Sequence, residues 1–270
     1  MHGPAPLPAA IALTGVSLSF GGLDVLRDVD VSAARGEVVG LIGPNGAGKS
    51  SLLNVMSGFY RAGQGKLSIG GAPVSRPRPH RVARAGVVRT FQNLGLFAGM
   101  SVLDNVLAGQ ARHGKAGWAS YLLRLPSAAE ETASARAAAF DALDALNLTA
   151  FAHVVASALP YGVQKRVELC RALAGAPDTL LLDEPLAGMN AAEKEEMAAA
   201  IRTVNATRGT TILLIEHDIG IVMQLADRLV VLDRGRKIAD GPPARVAADP
   251  IVIAAYLGTR PWEDGDAILS

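Results

Sequence analysis

The amino-acid sequence predicts an α/β fold: a mostly parallel sheet covered by helices, with a helical segment inserted into it. Three observations carry this prediction. Short apolar, β-rich runs bounded by glycine recur along the chain, and the later ones alternate with helical periodicity. A glycine-rich turn joins one such run to a helical pattern. Between about residues 94 and 174 the character changes to alanine-rich helix.

In chain order, the opening "MHGPAPLPAA" has no Lys or Arg n-region and is broken by Pro4, Pro6 and Pro8, so it reads as a loose leader and not a signal peptide. "IALTGVSLSF" (11–20) and "GEVVGLIG" (36–43) read as strands, the second ending in the glycine-rich turn. "SSLLNVMSGFY" follows as a helix with Leu53, Met56 and Ser57 at helical spacing and Gly58 placed to stop it. "RPRPH" (76–80) reads as a stiff basic loop. In the helical segment, Ser127 and Glu130 form a candidate capping box ahead of Phe140, Leu143 and Leu146. Strand signals return at "TLLLDEP" (179–185), "TTILLIEHD" (210–218) and "DRLVVLDRG" (227–235). Between the first two lies a helix over "AAEKEEMAAAIRTV", with Met197, Ile201 and Val204 on one face.

Composition narrows the function. The 270 residues carry 26 basic and 25 acidic side chains, a formal net charge of +1, so no global field marks a nucleic-acid binder. With one cysteine, Cys170, the chain forms no intrachain disulfide and no thiolate metal cluster. No run approaches the 18 or so uninterrupted apolar residues of a bilayer-spanning helix.

The strongest motif is "GPNGAGKS", in which Gly43, Pro44, Asn45, Gly46, Ala47, Gly48, Lys49 and Ser50 fit GxxxxGK(S/T) between a predicted strand and a predicted helix. Glycines let backbone N–H groups turn toward a phosphate chain, the lysine adds a mobile charge, and the helix N-terminus adds its dipole. Ser50 has a hydroxyl to offer to magnesium. The acidic pair Asp183 and Glu184 ends an apolar run, where an acid ordinarily marks a solvated turn; beside a phosphate loop it supplies the strand carboxylate that a magnesium site needs. His217 lies just past another apolar strand, and Gln92 sits at the junction with the helical segment; alone, each is an ordinary residue.

In that order these features resemble the ATP-binding subunit of an ABC transporter, from about Ile11 to Gly258. The resemblance implies a P-loop NTPase core of ABC type: a mixed, mostly parallel sheet with an antiparallel β edge, spanning 1–93 and 176–270, and a helical subdomain, 94–175, carrying the signature motif. It implies ATP and Mg2+ as ligands. Phe20 would stack on adenine, Gly43 to Ser51 would form the phosphate loop, and Gln92 would link magnesium to a transmembrane partner. Asp183 would be the magnesium-side carboxylate, Glu184 the general base and His217 the switch histidine near the γ-phosphate. "LAGMN" (186–190) would be a dimer-contacting loop.

The signature, usually Leu-Ser-Gly-Gly-Gln, here reads Leu159-Pro160-Tyr161-Gly162-Val163. The serine is missing, which leaves Tyr161, Gly162 and the backbone at the helix start to face the γ-phosphate of a second ATPase subunit, identical or paralogous. Leu94, Leu96, Phe97 and Met100 are core residues of the insert or, as a group, a groove for a membrane subunit.

"FGGLDVLRDV", "RTFQNLGLFAGMSVLDNVLAG" and "VIAAYLG" make the finer resemblance one to the branched-chain amino acid importer ATPases, with urea-import and lipopolysaccharide-export ATPases similar. That family works with transmembrane permease subunits, and indirectly with a periplasmic or extracellular solute-binding protein, at the cytoplasmic face of the inner membrane. The other class to weigh is a soluble, non-transport ABC ATPase, whose typical coiled-coil insertion or second ATPase unit is not visible here.

Overall fold

The computed structural model describes residues 9–90, 94–110 and 126–257. Four strands, β1 (Ile11–Phe20), β2 (Leu23–Ala33), β4 (Gln64–Ile69) and β5 (Ala72–Pro73), make an antiparallel sheet of order β2-β1-β4-β5. Six more make the central sheet: β3 (Val38–Ile42), β6 (Val87–Arg89), β7 (Thr179–Asp183), β8 (Thr211–Ile215), β9 (Arg228–Asp233) and β10 (Arg236–Gly241). Its order is β10-β9-β3-β8-β7-β6, parallel except for β10.

Strands β3, β7 and β8 are buried at every position, as apolar runs covered on both faces must be. The helices are α1 (Lys49–Met56), α2 (Pro79–Arg84), α3 (Val102–Ala108), α4 (Pro126–Ala145), α5 (Tyr161–Ala174), α6 (Ala191–Arg208), α7 (Ile219–Leu225), α8 (Pro243–Ala247) and α9 (Pro250–Leu257). Met197, Ile201 and Val204 of α6 are buried, which is the face its periodicity predicts. They join one apolar cluster with Leu143 of α4, Leu173 of α5 and Leu214 of β8. A second cluster, between the two sheets, is built from Ile11, Leu26, Leu41, Leu53 and Leu213. Among the described residues no helix is long and apolar enough to cross a membrane.

Several elements depart from the expectations. Strand β2 follows β1 through Gly21 and Gly22, both at positive φ (55° and 87°), the conformation that a tight two-residue hairpin asks of both central residues. "RPRPH" is not wholly a loop: Pro79 opens α2, a position where its missing N–H costs nothing. Helix α4 starts at Pro126, so Ser127 lies within the first turn and not ahead of it. The single free cysteine, Cys170, is buried in α5.

Candidate active site

Strand register sets the site. Ile215 of β8 pairs with Leu41 of β3 on one side and with Asp183 of β7 on the other. The chain therefore leaves three adjacent parallel strands at one level, and the loop from Gly43, the acids Asp183 and Glu184, and the turn with His217 emerge side by side. Ligands gather at the carboxyl ends of such strands.

The loop between β3 and α1 has its shape forced. A Cβ on Gly43 (φ 148°) would lie 2.0 Å from the Leu232 carbonyl oxygen, and Gly48, the N-cap of α1, sits at φ 99° with no side-chain cap. Lys49 is buried, and its Nζ donates to the carbonyls of Gly43 (2.7 Å) and Pro44 (2.9 Å). Burial holds this ammonium below the ordinary lysine range, against the opposing pull of Glu184 and Asp183. A buried cation resting on two carbonyls is poised to exchange them for an anionic oxygen.

Asp183 pairs with Arg89 at 2.7 Å through Oδ2, both side chains being 7% exposed. Its Oδ1 is buried with no hydrogen-bond partner among the described residues. Glu184 takes φ 49°, a left-handed conformation that costs a non-glycine residue about 1–3 kcal/mol. Its amide donates to the Ile215 carbonyl (3.0 Å), and its Oε1 lies 2.9 Å from His217 Nε2. Next to it, Glu216 is buried and accepts from the amides of Leu186 (2.6 Å) and His217 (3.2 Å); burial raises its carboxyl above the usual range.

Helix α5 starts without a side-chain cap: Pro160 is its N-cap residue and its first main-chain bond runs from the Gln164 amide to the Pro160 carbonyl. Amides of the first turn have no intrahelical acceptor. Tyr161 is 43% exposed, and its ring lies against Gly188 of the 186–190 loop. Gly162 is buried, and a Cβ there would meet the Glu193 side chain at 2.5 Å. A side chain at 162 would thus collide with Glu193 of its own subunit's α6.

Phe20 ends β1, 48% exposed, edge-on to Tyr60 with ring centroids 5.1 Å apart. An exposed aromatic pair offers a face for a flat ligand. Gln92 lies outside the described residues. Leu94 and Leu96 are half-buried, whereas Phe97 and Met100 are exposed.

The ABC transporter family profile matches residues 26–187. The chain belongs to the ABC transporter ATPases. A branched-chain amino acid ATP-binding cassette transporter profile also matches residues 236–260. The chain is 38% identical to the high-affinity branched-chain amino acid transport ATP-binding protein BraF of Pseudomonas aeruginosa, covering 92% of this chain and 97% of that one. It is 40% identical to LivG of Escherichia coli K12, a protein of the same description, with the same coverage. Among solved structures, the ADP conformation of an ATP-binding cassette of an ABC transporter superposes with a TM-score of 0.80 at 30% identity, over 93% of this chain and 99% of that one.

Within this ABC ATPase the fold brings Lys49, Asp183, Glu184 and His217 to one place. It sets Tyr161 and Gly162 against the 186–190 loop and α6. Three side chains at the site carry no motif of their own. Glu216 shows in sequence only as an acid closing an apolar run. Tyr60 shows only as an aromatic past a helix stop. Arg89 has no local signal, because its partners Asn54 and Asp183 lie 35 and 94 residues away.

Proposed function

We propose that this chain is the ATP-hydrolysing subunit of an importer for branched-chain amino acids. It would work as one of two ATPase subunits, identical or paralogous, beneath transmembrane permease subunits at the cytoplasmic face of the membrane, with a separate protein binding the solute. The match over residues 236–260, together with relatives named for that transport, supports the solute class. The observation that carries the chemistry is the buried Lys49 held on the phosphate loop beside Asp183, Glu184 and His217.

Lys49 would release the Gly43 and Pro44 carbonyls and turn its ammonium to the β- and γ-phosphates, while the amides of residues 46–51 cradle them at the start of α1. Asp183 and the Ser50 hydroxyl would hold magnesium, joined by Gln92 as the resemblance implies: among the described residues Asp183 Oδ1 is buried without a hydrogen-bond partner. A magnesium site that takes one carboxylate and completes itself with substrate phosphates is the ordinary arrangement. Bound there, the ion would neutralise charge on the transferring phosphoryl group.

Glu184 would accept the proton of the attacking water, with His217, 2.9 Å away, holding the carboxylate and the γ-phosphate in one geometry. The left-handed backbone at Glu184, fixed by its bond to Ile215, sets the direction of that carboxylate. Phosphoryl transfer depends mainly on positioning and charge stabilisation, so these fixed contacts supply most of the effect. Phe20, with Tyr60 behind it, would carry the adenine. The uncapped start of α5, with Tyr161 and Gly162, would face the γ-phosphate bound to the second subunit. The core would span 1–93 and 176–270, and the helical subdomain 94–175 would meet the permease through exposed Phe97 and Met100.

Titration of the purified chain with a fluorescent ATP analogue tests the phosphate site. Lys49→Ala should bind it weakly, whereas tight binding retained in that variant would remove the basis of this reading.

A further inference from the structure

Arg89 closes β6, the edge strand of the central sheet, and its guanidinium joins three elements. One terminal nitrogen donates to Asn54 Oδ1 (2.6 Å), in the helix that follows the phosphate loop, and to Ser57 Oγ (3.2 Å), the C-cap residue of that helix. The other donates to Asp183 Oδ2 at 2.7 Å. The pair is nearly dry, with both side chains 7% exposed, and strand pairing fixes its backbone: Arg89 lies opposite Leu181, and the Thr90 amide donates to the Leu181 carbonyl at 3.0 Å.

The two oxygens of Asp183 are thereby made unequal. Oδ2 is consumed by the guanidinium, while Oδ1 is buried and has no hydrogen-bond partner among the described residues. A buried carboxylate oxygen without a donor is costly to leave so, and it indicates an acceptor kept for something that arrives later. Asn54 and Ser57 hold the far side of the guanidinium, so the rotation of the carboxylate is anchored to the helix that begins at Lys49. A lysine would supply charge without the planar fork that spans both partners.

We propose that Arg89 is a positioning residue for the divalent cation: it clamps one oxygen of Asp183 and thereby aims the other at the metal and its water. This rests on the reading of Asp183 as the magnesium-side carboxylate. Because Arg89 stands two residues before the segment holding Gln92, the clamp also ties the strand entering that segment to the metal site.

The test uses the full chain, with Mn2+ as the probe in saturating ADP, bound ion counted by electron paramagnetic resonance, and ADP affinity measured separately in EDTA. Partners that orient a ligating carboxylate are worth about 10–100-fold in metal affinity. Arg89→Lys should weaken Mn2+ by about that factor and leave ADP affinity in EDTA unchanged. Asn54→Ala, which keeps the ion pair and removes the shorter of the Asn54 and Ser57 bonds on the far side of the guanidinium, should weaken Mn2+ in the same direction by less; it carries the test if Arg89→Lys fails to fold. A purely structural counter-ion would lower the melting temperature and leave Mn2+ affinity alone, and that outcome overturns the proposal. Asp183→Asn separates the two readings: weaker Mn2+ there with none in Arg89→Lys or Asn54→Ala refutes the clamp alone. Unchanged Mn2+ in Asp183→Asn refutes the magnesium-side reading, and the clamp with it.

Discussion

Replacing Gly162 by alanine adds one methyl group at the mouth of α5, and its cost follows from what the methyl would meet. The new Cβ would lie 2.5 Å from Oε1, 2.7 Å from Cδ and 2.9 Å from Cγ of Glu193, so the Glu193 side chain must swing away. It is not free to do so without loss. Glu193 Oε2 accepts from the Asn190 amide (3.0 Å), while Asn190 Oδ1 accepts from the Glu193 amide (3.0 Å), and together they form the capping box of α6. Displacing the carboxylate forfeits one bond worth about 0.5–1.5 kcal/mol, and crowding adds about 1–3 kcal/mol. Against this, alanine in place of glycine gains about 0.4–1 kcal/mol through the unfolded chain. The cost wins, and Gly162→Ala should destabilise the protein by roughly 0.5–4 kcal/mol, the balance of those terms. Urea unfolding of Gly162→Ala, Glu193→Ala and the double variant isolates the cause. In the Glu193→Ala background the methyl group has room, so the same substitution should become neutral or stabilising. An equal destabilisation in both backgrounds would refute the collision.

Two further expectations concern titratable groups. Burial pushes the Cys170 thiol up to about 12, so an aromatic disulfide reagent at pH 8 should leave the native chain unlabelled and titrate one thiol per chain in denaturant. Burial also raises Glu216, so the folded state holds that proton to higher pH than the unfolded one. Stability from this group is present below the ordinary carboxylate range and is lost as pH rises through the folded value. Glu216→Gln should remove this loss, and its melting temperature relative to the parent should climb between pH 4.5 and neutrality; a constant difference would contradict the assignment.

What could be read from the sequence, and what could not, divides along contact range. The phosphate loop is legible because Gly43 and Gly48 take positive φ (148° and 99°), a local backbone demand, and strands β3, β7 and β8 because they are continuous apolar runs. Strand β2 had a usable signal in Gly21-Gly22 followed by alternating Val29, Val31 and Ala33, all buried. The Arg89–Asp183 pair had none, since it spans 94 residues and depends on β6 lying beside β7. Gly162 shows the same limit. Its place in a signature motif says nothing of its buried side, which faces Glu193, a contact made only when α5 packs near the start of α6.

The departure at Pro160 takes its meaning from this packing. Proline supplies neither hydroxyl nor N–H, yet its φ of −55° and ψ of 151° lead the chain into α5 with Tyr161 set against Gly188. The turn is held by packing within the subunit, and the first-turn amides keep the direction of the helix dipole.

We propose that Glu184 activates water at a site which binds nucleotide by other means. Steady-state ATP hydrolysis by Glu184→Gln, measured beside ATP-analogue affinity, tests it most directly. Turnover should fall by on the order of a hundredfold or more with affinity retained. Turnover equal to the parent's would contradict it.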